Sequence, residues 1–315
     1  MIKLDGIKHR LDANETLYMA RELESVEAKL YEWKERELKY RTYVPVSNKD
    51  NPGANTITYR MLTMIGMAKI IANYADDLPR ADAYMKEYSQ AVKSLATSIG
   101  YNTQELRAAA MANVPLETVK ANAARRAIRQ LESAICWDGD DEKGITGLLN
   151  NTNIPTLAAA DGADPVASAW SGKTAAEIIT DINAPISQVR SQSNGVHAAD
   201  TMLLPIPQYD IIATTPRSST SDLTILEYIT KPGNKFGLKT VDWLSTELEL
   251  AFTSGTEDGA IVYERSAEVL EHRIPLEMQH LPVQERGLEF IIPIESRDGG
   301  VVVRYPLAMV FFTGI

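Results

Sequence analysis

Only one of the 315 residues is a cysteine, Cys136, so no intrachain disulfide can form and the fold must stand without one, in a reducing cytosol included. Nor is there an excess of basic charge. The 32 lysines and arginines face 42 aspartates and glutamates, a net −10, which argues against the basic stripe that tight nucleic-acid binders use to displace counterions from phosphates. An acidic balance chiefly favours solubility. No window approaches the ~18 consecutive apolar residues that a membrane helix needs. The start, Met1-Ile2-Lys3-Leu4-Asp5-Gly6, has no apolar h-region and no small-residue cleavage site, so the expectation is a chain that is not exported and meets no membrane. No repeat of roughly 20 to 50 residues is visible, which excludes a solenoid. What remains is an ordinary globular composition, 44% hydrophobic and 23% charged, with length for about two domains of roughly 150 residues each.

Apolar residues at Leu17, Ala20, Leu23, Val26, Leu30 and Trp33 recur at three- and four-residue steps among Glu22, Glu24, Lys29 and Glu32. That spacing predicts one amphipathic helix over about 14–40, whose apolar stripe must be covered by this chain or a neighbour. Tyr40 to Val46 is aromatic and β-branched, and Ile57, Tyr59 and Met61 alternate with polar residues at the two-residue period of a strand. Two strands are expected, joined by the polar run 47–55 as a protruding tip. A two-stranded ribbon needs a packing partner to be stable in water.

Asn102, three residues before Glu105, predicts a capped helix start, and Pro115 the start of a second segment. From Leu116 the residues Val119, Ala123, Ala127, Ile128, Leu131 and Ile135 form one apolar face. About 22 residues at 1.5 Å each make a spine helix of about 33 Å, stopped at Asp138-Gly139-Asp140-Asp141. The small, polar run 153–164 reads as a linker into a new unit. That unit holds a helix over about 175–192, a strand over 202–205, a helix near 221–229 and strands around 239–250 and 259–264. The closing stretches 288–294 and 300–312 read as an antiparallel pair hinged on Ser296-Arg297-Asp298-Gly299-Gly300. The fold class is therefore α+β.

Several residues imitate chemistry. Ser171-Gly172-Lys173-Thr174 looks like the end of a phosphate loop, but Ala167 stands where that loop needs its first glycine and no apolar strand precedes it. Asp138, Asp140, Asp141 and Glu142 begin like a calcium loop, yet Lys143 takes the glycine position and Leu149 that of the bidentate glutamate. His9, His197, His272 and His280 are scattered, none at zinc spacing with another histidine or with Cys136. Cys136 falls beside Ile135 near the apolar face of the spine helix, where a thiol behaves as a small hydrophobe. Arg125, Arg126 and Arg129 are read as the polar face of that helix, with contact to DNA phosphates as the alternative. No catalytic residue, cofactor site or metal site is expected.

The order of segments, together with Ala20-Arg21-Glu22-Leu23-Glu24, the run 40–46, Asp76-Asp77-Leu78-Pro79, Leu106-Arg107-Ala108-Ala109, Ala123-Ala124-Arg125-Arg126-Ala127 and Tyr305-Pro306-Leu307-Ala308, resembles the major capsid proteins of tailed bacteriophages over essentially the whole chain. That family shares the Hong Kong 97 fold with encapsulins. The resemblance implies an N-terminal arm (1–40), an extended loop (41–75), a peripheral domain (76–152 and 270–315) and an axial domain (153–269). It further implies hexamers and pentamers that close into an icosahedral head around double-stranded DNA, held without sequence-specific binding. Scaffolding, portal and decoration proteins are the implied partners, the virion the implied location, and the host bacterial cytoplasm the place of assembly. Leu23, Leu30, Trp33, Tyr43, Lys49, Ile57, Tyr59 and Met61 are the expected contacts between subunits. Some relatives crosslink a lysine of this loop to a neighbour's asparagine, and Lys49 lies in that region. Two other readings stay open: an encapsulin-like compartment shell, and a nucleotide-binding enzyme using Lys173 and Thr174.

Overall fold

The computed structural model describes residues 34–70, 79–112, 116–162, 169–218, 220–231, 233, 236–244, 248 and 257–315. The chain divides into two compact units after Glu37, and the larger, Leu38–Ile315, is the one followed below. It opens on a single helical turn, α1 (Tyr40–Tyr43), and a two-residue strand, β1 (Val46–Ser47). The strand expected over Tyr40 to Val46 is thus mostly replaced. Tyr40, Tyr43 and Val44 are all buried, and positions i, i+3 and i+4 share a side in a helix but not in a strand.

The next two strands, β2 (Thr56–Ile65) and β3 (Asp82–Ala91), pair antiparallel over ten residues, from Thr56 with Ala91 to Ile65 with Asp82. The ribbon's return strand is therefore 82–91, beyond the expected edge at residue 75, and not 40–46. Nor is 47–55 its tip. Arg273 holds Asp50 at 3.2 Å, and Arg297 donates to Pro52 O and, at 2.9 Å, to Asn55 Oδ1, so this turn is fastened to the body and the free end lies beyond Ile65 and Asp82.

A long strand, β4 (Lys93–Asn102), runs into α2 (Thr103–Ala112), where the Asn102 side chain accepts from Gln104 N–H at 3.0 Å. The spine helix α3 spans Leu116–Trp137. It ends at Gly139, whose φ of +71° suits glycine and where a side chain would meet Gly147 N at 2.5 Å. Then come β5 (Thr156–Ala158), α4 (Ala175–Gln192), β6 (Thr201–Pro205), α5 (Ile206–Thr214), β7 (Pro216–Ser218), β8 (Ser221–Thr224), α6 (Ile225–Thr230) and β9 (Thr240–Leu244). The helix expected near 221–229 starts only after Thr224, whose side chain caps it in a box with Glu227. The closing strands are β10 (Gly259–Tyr263), β11 (Leu270–Arg273), β12 (Leu276–His280), β13 (Gln284–Arg286), β14 (Glu289–Asp298), β15 (Val301–Val303) and β16 (Met309–Thr313).

A mixed sheet ordered β5-β16-β10-β6-β9 forms the centre. Along its inner strands, alternate residues enter two different cores. Leu203, Ile261 and Phe311 meet Tyr40, Tyr43 and Trp137 on one side, while Met202, Leu204, Val262 and Phe312 meet Ile178, Ile182 and Ile212 of α4 and α5 on the other. A sheet covered on both faces reads as a continuous apolar run, which is why 202–205 and 309–312 carry no polar alternation. β16 lies inside this sheet, and its Phe311 packs against Trp137 at the end of the spine helix. A second sheet sets β14 against β4 along its whole length, with β12 and β13 on its other edge, and α3 packs on it through Ala124 and Ile128.

The expected closing hairpin is absent. β14 and β15 do not pair with each other; β15 joins β11 and β1 instead. Gly299-Gly300 is a crossing between sheets, and Gly300, at φ +68°, supplies the reversal that resembles a hairpin turn. The face of α3 is also rotated from expectation. Val119 and Leu131 are exposed, and Glu132 is fully buried.

Candidate assembly interface

Glu132 explains that rotation. Its Oε2 accepts from Tyr40 OH at 2.5 Å and from Arg41 at 3.0 Å, and its Oε1 from Ser296 at 3.2 Å. Arg41 continues to both carboxylate oxygens of Glu277, at 2.8 and 3.0 Å, and Arg129 lies 3.7 Å from Glu132 and 3.8 Å from Glu277. A buried charge survives only when paired and hydrogen-bonded, and here four elements supply the partners. Burial, then Glu132, pushes the Tyr40 hydroxyl up to about 12, and Arg41 holds the Glu277 carboxyl below its usual range against the opposing effect of burial. On the other side of α1, Lys39 sits 3.6 Å above the Trp243 ring and 3.2 Å from Asp242, which also accepts from Tyr43 OH, while Tyr263 OH donates to Tyr43 O at 3.0 Å. The stretch 39–43 is thus clamped between the spine helix and the central sheet.

From that anchored root the ribbon runs outward. On one face Ile57 is buried, Tyr59 stacks on Tyr88 at 5.3 Å and reaches Val303 O at 3.4 Å, and Met61 is half-buried. Past Met61 this support ends. Leu62, Met64, Ile65, Tyr84 and Met85 are each more than half exposed. Large contiguous apolar surface of this kind marks an interaction site in a folded protein.

The expected contact residues therefore separate into three groups. Leu23, Leu30 and Trp33 lie outside the described residues. Tyr43 and Ile57, at 3% and 6% exposure, are core residues of the protomer and have no surface to offer a neighbour. Tyr59 and Met61 support the ribbon root, and Lys49 is exposed, 4.0 Å from Glu271, a carboxylate already engaged by Arg304 at 2.6 Å and Arg273 at 3.2 Å. Sequence reasoning missed the distal residues Leu62, Met64 and Met85. Their signal was present in β2, where Leu62 and Met64 turn apolar the phase that Thr56, Thr58 and Arg60 had kept polar.

The imitations of chemistry are accounted for structurally. Lys173, its side chain only 1% exposed, donates to Asp181 and to Ala160 O, both at 2.6 Å, with Trp170 Nε1 sharing the same Asp181 oxygen at 3.1 Å. Thr174 is the N-cap of α4 in a capping box with Glu177. Neither is free to hold a phosphate. Cys136, His272 and Asp298 cluster, but all three are sealed from solvent. Nε2–H of His272 donates to Asp298 at 2.9 and 3.0 Å. Burial alone would lower the His272 pKa; the Asp298 carboxylate opposes it and holds the proton on the ring, whereas burial pushes the Cys136 thiol up. A buried thiol kept protonated is a packing group and not a nucleophile. Among the described residues, no group of three or more His, Cys, Asp or Glu side chains is arranged to hold a metal ion.

The fold has solved counterparts. The capsid of Myoviridae phage XM1 superposes with a TM-score of 0.79 at 20% identity, over 96% of this chain and 100% of that one. The capsid of an empty GTA particle gives 0.63 at 11% identity, over 96% and 99%. A virus-like particle from Pyrococcus furiosus gives 0.50 at 12%, over 86% and 90%. These likenesses show the Hong Kong 97-like capsid fold. No curated protein sequence matches the chain. A family model for the major capsid protein matches residues 66–315, from the distal ribbon through the spine helix to the last strand. By that match this chain belongs to the major capsid protein family.

Proposed function

We propose that this chain assembles with copies of itself into hexamers and pentamers that close as the icosahedral head around double-stranded DNA. The observation that carries the reading is the ribbon. Its distal half exposes apolar side chains on both faces, which a lone protomer leaves in water at a cost of roughly 25 cal/mol per Å² of apolar surface. Obligate interfaces bury roughly 2,000 Å² or more in total, and projecting ribbons readily supply such area. An acidic chain suits a container that confines DNA without gripping it. The arm is assigned to residues up to about 40, the extended loop to the ribbon through Ala91, the peripheral domain to the spine helix with β4 and β14, and the axial domain to 153–269. Scaffolding, portal and decoration proteins complete the head, which forms in the host bacterial cytoplasm and carries no catalysis of its own. The compartment alternative draws less support, since the chain superposes on a phage capsid with a TM-score of 0.79.

Electron microscopy and mass photometry of the purified chain, across salt and concentration, test this directly. Rings, sheets or closed shells are expected. A population that stays at the 34.8 kDa of one chain, with and without a scaffolding protein, would overturn it.

A further inference from the structure

Among the described residues, strand β4 has a neighbour on one side only. Its register with β14 runs unbroken from Lys93 with Asp298 to Asn102 with Glu289, and no strand pairs with its other edge. Two observations fix the backbone phase of that edge. Thr103 N–H donates to Leu288 O at 3.1 Å, one pair beyond the register, and Pro293, which has no N–H, stands opposite Ser98. Odd-numbered residues of β4 therefore bond to β14, and Ser94, Ala96, Ser98 and Gly100 turn their N–H and C=O groups outward. Lys120 Nζ meets one of these groups, Gly100 O, at 2.7 Å. Protein edges are ordinarily blunted by prolines, bulges or charges, and β4 carries none of these between Ser94 and Tyr101. The spine helix lies along the same edge. Its Ala123 and Ala127 face Thr97 and Ser98 across a groove of about 360 Å³. Both alanines are exposed, and Leu131, one turn further on, is 47% exposed.

We propose that β4 pairs antiparallel with β4 of a second copy across a two-fold axis near Ser98, with Ala127 of the two spine helices meeting beneath it. The inference rests on the self-assembly reading above and supplies the contact that joins one ring of subunits to the next. Three observations select a second copy. The first is spacing. Ala124 and Ile128 of α3 pack on Ile99 and Tyr101 of β4 and on Ile294 of β14, so the helix lies under the gap between those strands. That is half of the ~4.8 Å strand spacing inside β4. A strand added to the edge continues the spacing, so the helix under its own sheet falls two spacings from α3, about 10 Å away. Packed helices lie roughly 8–10 Å apart, and small residues such as Ala123 and Ala127 permit that approach.

The second observation is charge. The one charged residue of β4 is Lys93, at its start. Antiparallel pairing keeps the two lysines at opposite ends and carries each towards the far end of the partner strand. There Lys120 and Glu105 neutralise each other at 2.7 Å, leaving the exposed Glu289 opposite Asn102 to receive it. The third is symmetry. Head-to-tail contacts close rings, whereas two rings of one kind of chain join most simply where the same patch faces itself. A strand that pairs antiparallel with its own copy makes such an isologous contact.

Cysteine and proline substitutions along the edge test this. The native Cys136 is fully buried, so an introduced thiol reports on its own surroundings. Particles oxidised after assembly should give a disulfide-linked dimer from Ser98→Cys, whereas Ser94→Cys, about 26 Å from its mate in that register, should stay monomeric. Ala96→Pro replaces an outward N–H that the protomer does not use, so the melting temperature should hold within a few degrees, while closed shells are lost and rings remain. Equal dimer yields from the two cysteine variants, or no dimer from either in particles that assemble normally, would overturn the proposal and leave self-assembly intact. Closed shells from a folded Ala96→Pro chain would do the same. If the unmodified chain forms neither rings nor shells, the underlying reading fails and this contact with it.

Discussion

Glu132 is a charged residue in the core whose worth depends on its partners staying in place. Truncating one member of a buried ion pair strands the others, at roughly 3–5 kcal/mol. Glu132→Ala should therefore lower the stability of the dissociated chain by about that much in a denaturant titration, whereas Arg60→Ala, which breaks an exposed pair, should cost under about 1 kcal/mol. Comparable losses from the two variants would mean that the network at the arm root contributes nothing special. His272 gives a second test, through pH. Its folded pKa, raised by the Asp298 carboxylate against the opposing effect of burial, exceeds the ordinary value of about 6.5, so the folded chain holds this proton more tightly than the unfolded one. The stability it contributes is complete below about pH 6.5 and is lost as the pH rises through the folded pKa. The melting temperature should fall over that window, and His272→Gln should flatten this part of the profile while lowering the neutral-pH value. A variant whose profile stays parallel to that of the parent would show that His272 does not titrate in the folded state as argued. At the acid end the sign is reversed. Glu277, held low by Arg41, contributes stability that is lost as the pH drops through its folded pKa.

Among the elements, the ribbon and the end of the spine helix invite opposite outcomes. Met64→Asp with Met85→Asp alters only exposed side chains, so the melting temperature should hold within a few degrees while rings and shells disappear from electron micrographs. Gly147→Ala should do the reverse, because an added Cβ would sit 2.6 Å from Trp137 O and closer still to Gly139 N. A backbone clash of that kind destabilises the fold wherever the chain is in its assembly cycle. A fully stable, assembling Gly147→Ala chain would contradict the close packing of the 139–147 crossing. These two elements also show how far the sequence could be read. The edges of α3 and α4 were legible because their caps, Asp138-Gly139 and the Thr174–Glu177 box, are local chemistry. Strand β3 was not, because a strand exposed along nearly all its length has no buried face to write a period. For the same reason 40–46 was mistaken for the ribbon's partner. The rotated face of α3 was hidden because burying Glu132 depends on Arg41 and Tyr40, some ninety residues away, and no local pattern encodes a partner at that distance. Met64 and Met85 were legible in principle, since Leu62 and Met64 turn the previously polar phase of β2 apolar, but only once the ribbon's true partner places them in one patch.

At the scale of the whole molecule, two forces act on association, and they respond differently to the solvent. Each chain brings a net −10, so copies repel one another through water, over a range of about 10 Å at 0.1 M salt and about 3 Å at 1 M. The attraction proposed here is apolar, from the ribbon's distal half, and salt does not screen it. Raising sodium chloride from 0.05 to about 0.5 M should therefore lower the protein concentration at which light scattering first rises. Cooling should raise that concentration, because hydrophobic burial weakens towards low temperature. The opposite dependence on salt would point to ion pairs between copies as the main attraction. The exposed charges on the spine helix, Arg125 among them, would then become the contacts to examine in place of Met64 and Met85. The Met64→Asp, Met85→Asp chain separates the cases within one experiment. If apolar burial drives assembly, screening cannot restore a contact that has lost its apolar face, and this chain should fail to scatter at every salt concentration. If repulsion is the only barrier, high salt should rescue it.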